Sequence, residues 1–133
     1  MAAFAGAYMH AVEETTWFSP GEGGAISKLH VSMLDENPWW QRVKTVTRAA
    51  VERWGKQLSI GFTDLGGNLD ILAHLRGTQQ LLIDPVDAPQ EVDRLIRETN
   101  QLWLHCYEAL YALTSHGCGI TCWGPLCVLS SGR

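Results

Sequence analysis

The sequence predicts a helix-rich α/β fold, and three observations lead to that expectation. Two short apolar runs that contain glycine, at residues 58–62 and 117–129, have the composition of buried strands. Amphipathic helical patterns precede the first run and separate it from the second. The order helix, strand, glycine turn, helices, strand is that of a β/α repeat with parallel strands and right-handed crossovers. We expect the 133 residues, 46% of them hydrophobic, to form a single domain.

The first third of the chain predicts two elements around a breaker run. Residues 2–14 place apolar side chains at helical spacing, and the run at 19–24 ends that helix. Residues 28–34 alternate apolar and polar side chains, which indicates either a half-exposed strand or an extended loop.

A stronger helix signal begins at Asn37-Pro38, because asparagine caps helices and proline suits the first helical position. This helix is expected to reach Trp54 and to bury a face that contains Trp40 and either Val46 or Thr47. The tryptophan side chains near its start pack in the core or stack on a flat ligand; the large area that tryptophan buries favours packing.

The central segment combines a strand signal with a glycine turn. Leu58, Ile60 and Phe62 predict a strand, Gly66-Gly67 a sharp turn, and Asn68 the cap of a helix over 69–76. Backbone N–H groups at such a helix start can bind an anion. The candidate ligand-binding residues form this corner, and they are Phe62, Asp64, Gly66, Gly67 and Asn68.

Two further helices are predicted after Gly77, which ends the helix over 69–76. Residues 78–84 form a short helix that Pro85 breaks. Asp87 and Pro89 then cap and open the longest helix, whose apolar residues repeat at three and four positions over about 27 residues.

Charge and cysteine content exclude several classes of protein. A net charge of −4 with scattered Lys and Arg gives no nucleic-acid footprint, and the N-terminal segment is neither a signal peptide nor a membrane span. We therefore expect a cytoplasmic protein with reduced cysteines, without cofactor, nucleic-acid or membrane partners. Cys118, Cys122 and Cys127, with His116, fit either a zinc site or small apolar residues in a strand; no metal is expected.

The chain resembles a middle segment of the uroporphyrinogen decarboxylase superfamily over about residues 37–129. The resemblance rests on Ile60-Gly-Phe62, the glycine loop to Asn68, the helix that ends at Gly77, and Asp87-Ala-Pro89 before the long helix. Members of the superfamily are (β/α)8 barrels. The resemblance therefore implies a partial TIM barrel of two to three β/α units, from a carbon–carbon lyase family with an anionic tetrapyrrole substrate at the glycine corner.

Departures from the family pattern keep other functions open. Leu72 stands where the decarboxylases have a substrate-contacting tyrosine, and residues 64–68 replace their Gly-Ala-Pro-Trp-Thr loop. We therefore assign no catalytic residue and expect no genuine decarboxylation from this chain alone. His116-Gly-Cys118 is similar to the zinc motif of superfamily methyltransferases that act on corrinoid proteins or thiols.

A third alternative is a truncated, non-catalytic chain that associates with itself. A closed (β/α)8 barrel needs about 250 residues, so this chain holds only part of one. A partial parallel sheet exposes strand edges and apolar helix faces. The length therefore predicts a fragment of a longer enzyme, a homo-oligomer or a rearranged fold.

Overall fold

The structure, a computed structural model, describes residues 1–21, 24–33 and 35–114. Within them the fold is helix-rich and mixed, with four α-helices and a two-stranded antiparallel sheet. The chain divides into two compact units: the first contains Met1–Leu34 and Gly66–Trp103, and the second Asp35–Leu65 and Leu104–Arg133. The predicted strand and zinc residues after position 114 lie outside the described residues.

The first unit begins with a β-hairpin of β1, Tyr8–Ala11, and β2, Thr16–Ser19. Its register pairs Met9 with Phe18. The helix predicted over 2–14 is therefore wrong. Gly6, at a φ of 102°, takes a backbone conformation that no right-handed helix contains, and the β-formers of β2 supply pairing partners for residues 8–11.

The segment after the hairpin is a 3₁₀ turn, Ile26–Lys28, followed by irregular chain at 29–33. The loop alternative is confirmed there and the strand is wrong. The backbone of this segment bonds to side chains instead of a neighbouring strand: Val31 N–H donates to Glu98 at 2.8 Å, and the Leu29 carbonyl accepts from Arg94 at 2.9 Å. Burial acts to raise the pKa of Glu98, but these bonds from Val31 and Arg94 hold it below its ordinary value.

Two short helices follow in the same unit, α2 over Asn68–Arg76 and α3 over Thr78–Asp87. Gly77 separates them with a φ of 92°, as the glycine stop predicted. The cap of α2 is Gly67 rather than Asn68, which is the first helical residue. Pro85 does not break α3, because in the last turn its missing N–H removes one backbone bond while Ala88 N–H still bonds to Asp84 at 2.7 Å.

The longest helix, α4, covers Pro89–Thr114, and its 26 residues extend about 39 Å. Its predicted length, its proline start and its apolar stripe are confirmed, whereas Asp87 belongs to α3 and does not cap it. The division between the two units falls inside α4, after Trp103. The buried side chains of the stripe are Val92, Leu95, Thr99, Leu102, Cys106 and Leu110.

The second unit contains α1, Pro38–Trp54, which starts where Asn37-Pro38 predicts. The Asn37 side chain accepts from the N–H groups of Trp39 and Trp40 at 3.0 and 3.2 Å. Trp40 and Thr47 are buried, whereas Val46 faces solvent, which settles the alternative between the last two.

Residues 55–67 are irregular, so the strand predicted at 58–62 is wrong. An extended segment becomes a strand only when a neighbour completes its hydrogen-bond ladder, and no strand in the described residues pairs with it. Leu58 is accordingly 60% exposed. The parallel β/α pairing expected from the sequence has no counterpart in this part of the chain.

Candidate functional site

The five residues of the predicted ligand corner belong to different compact units. Phe62 and Asp64 lie at the end of the second unit's first segment, and Gly66 opens a segment of the first unit. In the second unit, Phe62 meets the edge of Tyr107 with ring centroids 5.5 Å apart, and Asp64 is exposed. Phe62 thus has a packing role within its own unit.

The glycine end of the corner attaches α2 to α4 in the first unit. Gly66, at a φ of 77°, presents its carbonyl to Trp103 Nε1 at 3.1 Å. The Asn68 side-chain amide donates to Asn100 at 3.5 Å. These hydrogen bonds give the glycine turn a structural role within the first unit. Ligand binding at Phe62, Asp64, Gly66, Gly67 and Asn68 remains a prediction.

The N-terminus of α2 already has a negative charge beside it. An atom added as Cβ on Gly67 would lie 2.9 Å from a carboxylate oxygen of Asp70, so the carboxylate folds back over the first turn. There it neutralises the positive end of the helix dipole, as the sequence indicates for an acidic first-turn residue. His74 packs on Phe18 at 5.3 Å between ring centroids, which gives this histidine a structural role.

No catalytic cluster emerges from the described residues. Within them, no group of three His, Cys, Asp or Glu side chains is arranged to hold a metal ion. Cys106 is fully buried, and burial raises the pKa of its thiol to about 11. A buried, protonated thiol is a poor nucleophile at neutral pH. Leu72, the position of the family tyrosine, is also completely buried.

The most unusual surface of the first unit is α3, because its polar and apolar sides are reversed. Asp84 is only 5% exposed and forms a bidentate pair with Arg76, at 2.6 and 2.9 Å. The hydrogen bond from Arg76 holds the pKa of the Asp84 carboxyl below its usual value, although burial opposes this. Arg76 also donates to the Gly24 carbonyl at 2.7 Å. The inward side of α3 is therefore fixed by an ion pair.

Apolar side chains occupy the opposite side of α3. At about 100° per residue, Leu82 and Val86 project about 160° away from Asp84. They are 75% and 83% exposed, and Ile83 is half exposed. Leu69 on α2 is also exposed. We call Leu69, Leu82, Ile83 and Val86 the α3 patch.

An apolar groove accompanies the α3 patch. It has a volume of about 350 Å³, and the first unit supplies all of its walls. The only charged side chain among the lining residues is Asp70. The lining residues are Leu69, Asp70, Ala73, Thr78, Leu81, Leu82, Pro85 and Val92. Its chemistry suits an apolar side chain and offers nothing to an anion.

The sequence contained a signal for this surface. Leu81, Leu82 and Ile83 are consecutive and Val86 follows, so the apolar residues cover more of the helix than one buried face requires. The sequence shows that these positions are apolar, but it does not decide which side of the helix is buried. That choice depends on the pairing of Asp84 with Arg76, eight residues earlier, which no local pattern reveals.

Comparisons with protein-family models, with curated proteins and with solved structures found no match to this chain. A search of the described helices found none that is long and apolar enough to cross a membrane.

Proposed function

We propose that this chain functions by self-association, with the α3 patch forming a contact between two copies related by a twofold axis. The reversed polarity of α3 carries the proposal: an ion pair holds its polar side inward and leaves Leu82 and Val86 in water. Exposed apolar groups of this kind mark interaction surfaces in proteins.

A second copy suits the α3 patch because the patch is uncharged. In a twofold contact each residue approaches the same surface of its partner, so charged residues near the axis would repel. The exposed positions of α3 before Asp87 are Thr, Gln or apolar, and Asp84 is neutralised by Arg76. The one exposed charge of α3 is Asp87 in its last turn, so a partner recognised through charge would find a single carboxylate on this helix.

The size of the α3 patch predicts a weak dimer. Four apolar side chains cover less than the roughly 800 Å² per partner of a standard interface. We therefore expect a reversible dimer with a dissociation constant of about 1 μM or weaker. Association should depend on protein concentration and only slightly on salt, since apolar contact supplies it.

Analytical ultracentrifugation over a range of concentrations tests the proposal. Wild-type protein should shift from monomer to dimer, and the double variant Leu82→Glu with Val86→Glu should remain monomeric, because four carboxylates would meet at the axis. Leu58→Glu is the matched control, since it replaces an exposed leucine in the other unit. Circular dichroism checks that each variant keeps its helices. A monomeric wild type, or a dimer that persists in the double variant, contradicts the proposal.

A second candidate is a uroporphyrinogen decarboxylase-like piece of a (β/α)8 barrel, in a cytoplasmic protein with an anionic tetrapyrrole substrate. It is supported by the order of the elements: an extended segment, a glycine turn with Gly66 at positive φ, α2, and a long helix opened by Pro89. Residues 58–62 would become a strand when further barrel strands are supplied. The test is an assay of a version of the chain that is extended by further barrel strands. This second candidate predicts that the extended protein converts a porphyrinogen to a less carboxylated porphyrin, and absence of turnover rejects it.

The methyltransferase alternative depends on His116 and Cys118, which lie outside the described residues. It requires stoichiometric zinc in purified protein. Metal analysis of wild type and of Cys118→Ser tests this alternative: wild type should contain zinc, and the variant should contain less. A metal-free wild type rejects the alternative, because zinc is the reaction centre of these methyltransferases.

A further inference from the structure

The solvent-facing side of α1, in the second unit, carries an aligned row of large apolar side chains. Trp39, Val46 and Trp54 follow one another at intervals of seven and eight residues, so they fall within an arc of about 80° around the helix. Val46 is 62% exposed, and both tryptophans expose more than a third of their surface. The row is about 22 Å long. We call these three residues the α1 stripe.

Basic residues concentrate on α1 and just after it although the chain is acidic overall, and at about 100° per residue Arg42 and Arg53 lie within about 40° of Val46 on the helix. Five of the ten Lys and Arg residues lie between positions 42 and 56, where Glu52 is the single acidic residue, while the net charge of the chain is −4. Arg53 lies over the ring of Trp54 at 5.3 Å. None of the five forms an ion pair with a carboxylate in the described part of the chain. The five are Arg42, Lys44, Arg48, Arg53 and Lys56.

A groove beside the α1 stripe adds apolar surface. Its volume is about 390 Å³, and the second unit supplies all of its walls. Arg42 and Val46 are among its lining residues, together with Ile60 from the segment after α1. A guanidinium and aliphatic side chains thus line the same groove. That combination matches an amphiphile with a negatively charged head and hydrocarbon chains.

We infer from this arrangement that α1 docks the protein on an anionic lipid bilayer, with the helix axis parallel to the membrane plane. Tryptophan rings favour the headgroup level of a bilayer, and Lys and Arg are attracted to acidic headgroups. Val46 would enter the acyl boundary, as the apolar face of an interfacial helix does. The mode is surface attachment, which requires no spanning helix.

The aliphatic part of the surface selects a bilayer over other anionic partners. A nucleic acid would use the basic side chains and stack on aromatic rings, but it would leave Val46 and the groove in water. The scattering of Lys and Arg over the whole sequence indicated no nucleic-acid partner, and no membrane partner was expected. The structure adds that Arg42 and Arg53 lie on the same helix as the exposed Val46 and Trp54.

Vesicle sedimentation tests the inference with the full chain. Protein should bind phosphatidylcholine vesicles that contain phosphatidylserine and should bind pure phosphatidylcholine much less. Arg42→Gln and Arg53→Gln should each weaken binding about fivefold, the loss expected for one basic residue at an acidic membrane. Raising the salt from about 0.1 M to about 0.5 M should weaken it further by screening. Val46→Glu should abolish insertion, seen as loss of tryptophan quenching by brominated lipid.

Two control variants separate this inference from self-association. Arg97→Gln removes an exposed arginine of the other unit, and Leu82→Glu disrupts the α3 patch. Both should bind vesicles like wild type. The inference is overturned if wild type ignores acidic vesicles, binds neutral ones equally, or retains its affinity in the Arg42→Gln and Arg53→Gln variants. Binding that disappears with Leu82→Glu also overturns it, because membrane attachment would then belong to the α3 patch.

Discussion

In the first unit, α3 and the start of α4 differ in where their apolar side chains lie: α3 exposes them and α4 buries them. On α4 the apolar stripe is buried, with Leu95 and Thr99 fully inaccessible, and charged residues face water. On α3 a carboxylate is buried while Leu82 and Val86 are exposed. Folding of the chain explains the sequence of α4. Folding does not explain the apolar residues on the outer side of α3, which is why that side is the candidate interface.

The largest expected contrast is between a leucine on each helix. Leu95→Ala should lower the free energy of unfolding by about 3 to 4 kcal/mol, because it leaves a cavity in a packed core. Leu82→Ala should change it by less than about 0.5 kcal/mol at monomer concentrations, since the side chain is in water. Urea titration followed by circular dichroism measures both. Equal losses for the two variants would show that the outer side of α3 is covered within the monomer.

The next largest effect should come from the inward side of α3. Asp84→Asn should lower the free energy of unfolding by about 2 to 3 kcal/mol, because Arg76 loses its charged partner in a buried setting. Asp87→Asn, an exposed carboxylate in the same helix, should stay within about 0.5 kcal/mol. If both substitutions are neutral, the ion pair does not determine which side of α3 faces outward.

Acid should reduce this difference between wild type and Asp84→Asn. The folded-state pKa of Asp84 is lowered, chiefly by its hydrogen bond from Arg76. Its contribution is therefore fully present above the unfolded-state pKa of about 3.9, and it is lost as the pH falls through the lower folded-state value. Thermal unfolding of both proteins between about pH 6 and pH 2 should show melting curves that converge at the acid end. Glu98 titrates in both and does not affect the comparison. A gap that stays constant to the lowest pH contradicts this assignment.

The sequence predicted the structure correctly where the signals were local, and incorrectly where contacts between residues far apart in the chain determine the structure. Asn37-Pro38, Gly77 and Pro89 located helix boundaries because caps and stops act within a turn. The predictions for residues 8–11 and 58–62 were wrong because strand pairing depends on a second segment of the chain. Of the candidate ligand corner, the glycine turn was predictable, while its contacts to Trp103 and Asn100 join residues more than thirty positions apart.

The smallest expected effect concerns the outer side of α4, where the charge pattern is ordinary. Asp93 and Arg97 form an i,i+4 pair at 2.7 Å, and both side chains are more than half exposed. Arg97→Gln should therefore lower the free energy of unfolding by only about 0.3 to 0.5 kcal/mol, and high salt should remove the difference. Arg94→Gln, one turn earlier, should cost more, because Arg94 bonds to Glu98 and to the Leu29 carbonyl. Urea titrations at low and high salt measure both variants. A large, salt-independent loss for Arg97→Gln would mean that this side of α4 is also an interface, and the contrast between the two helices would fail.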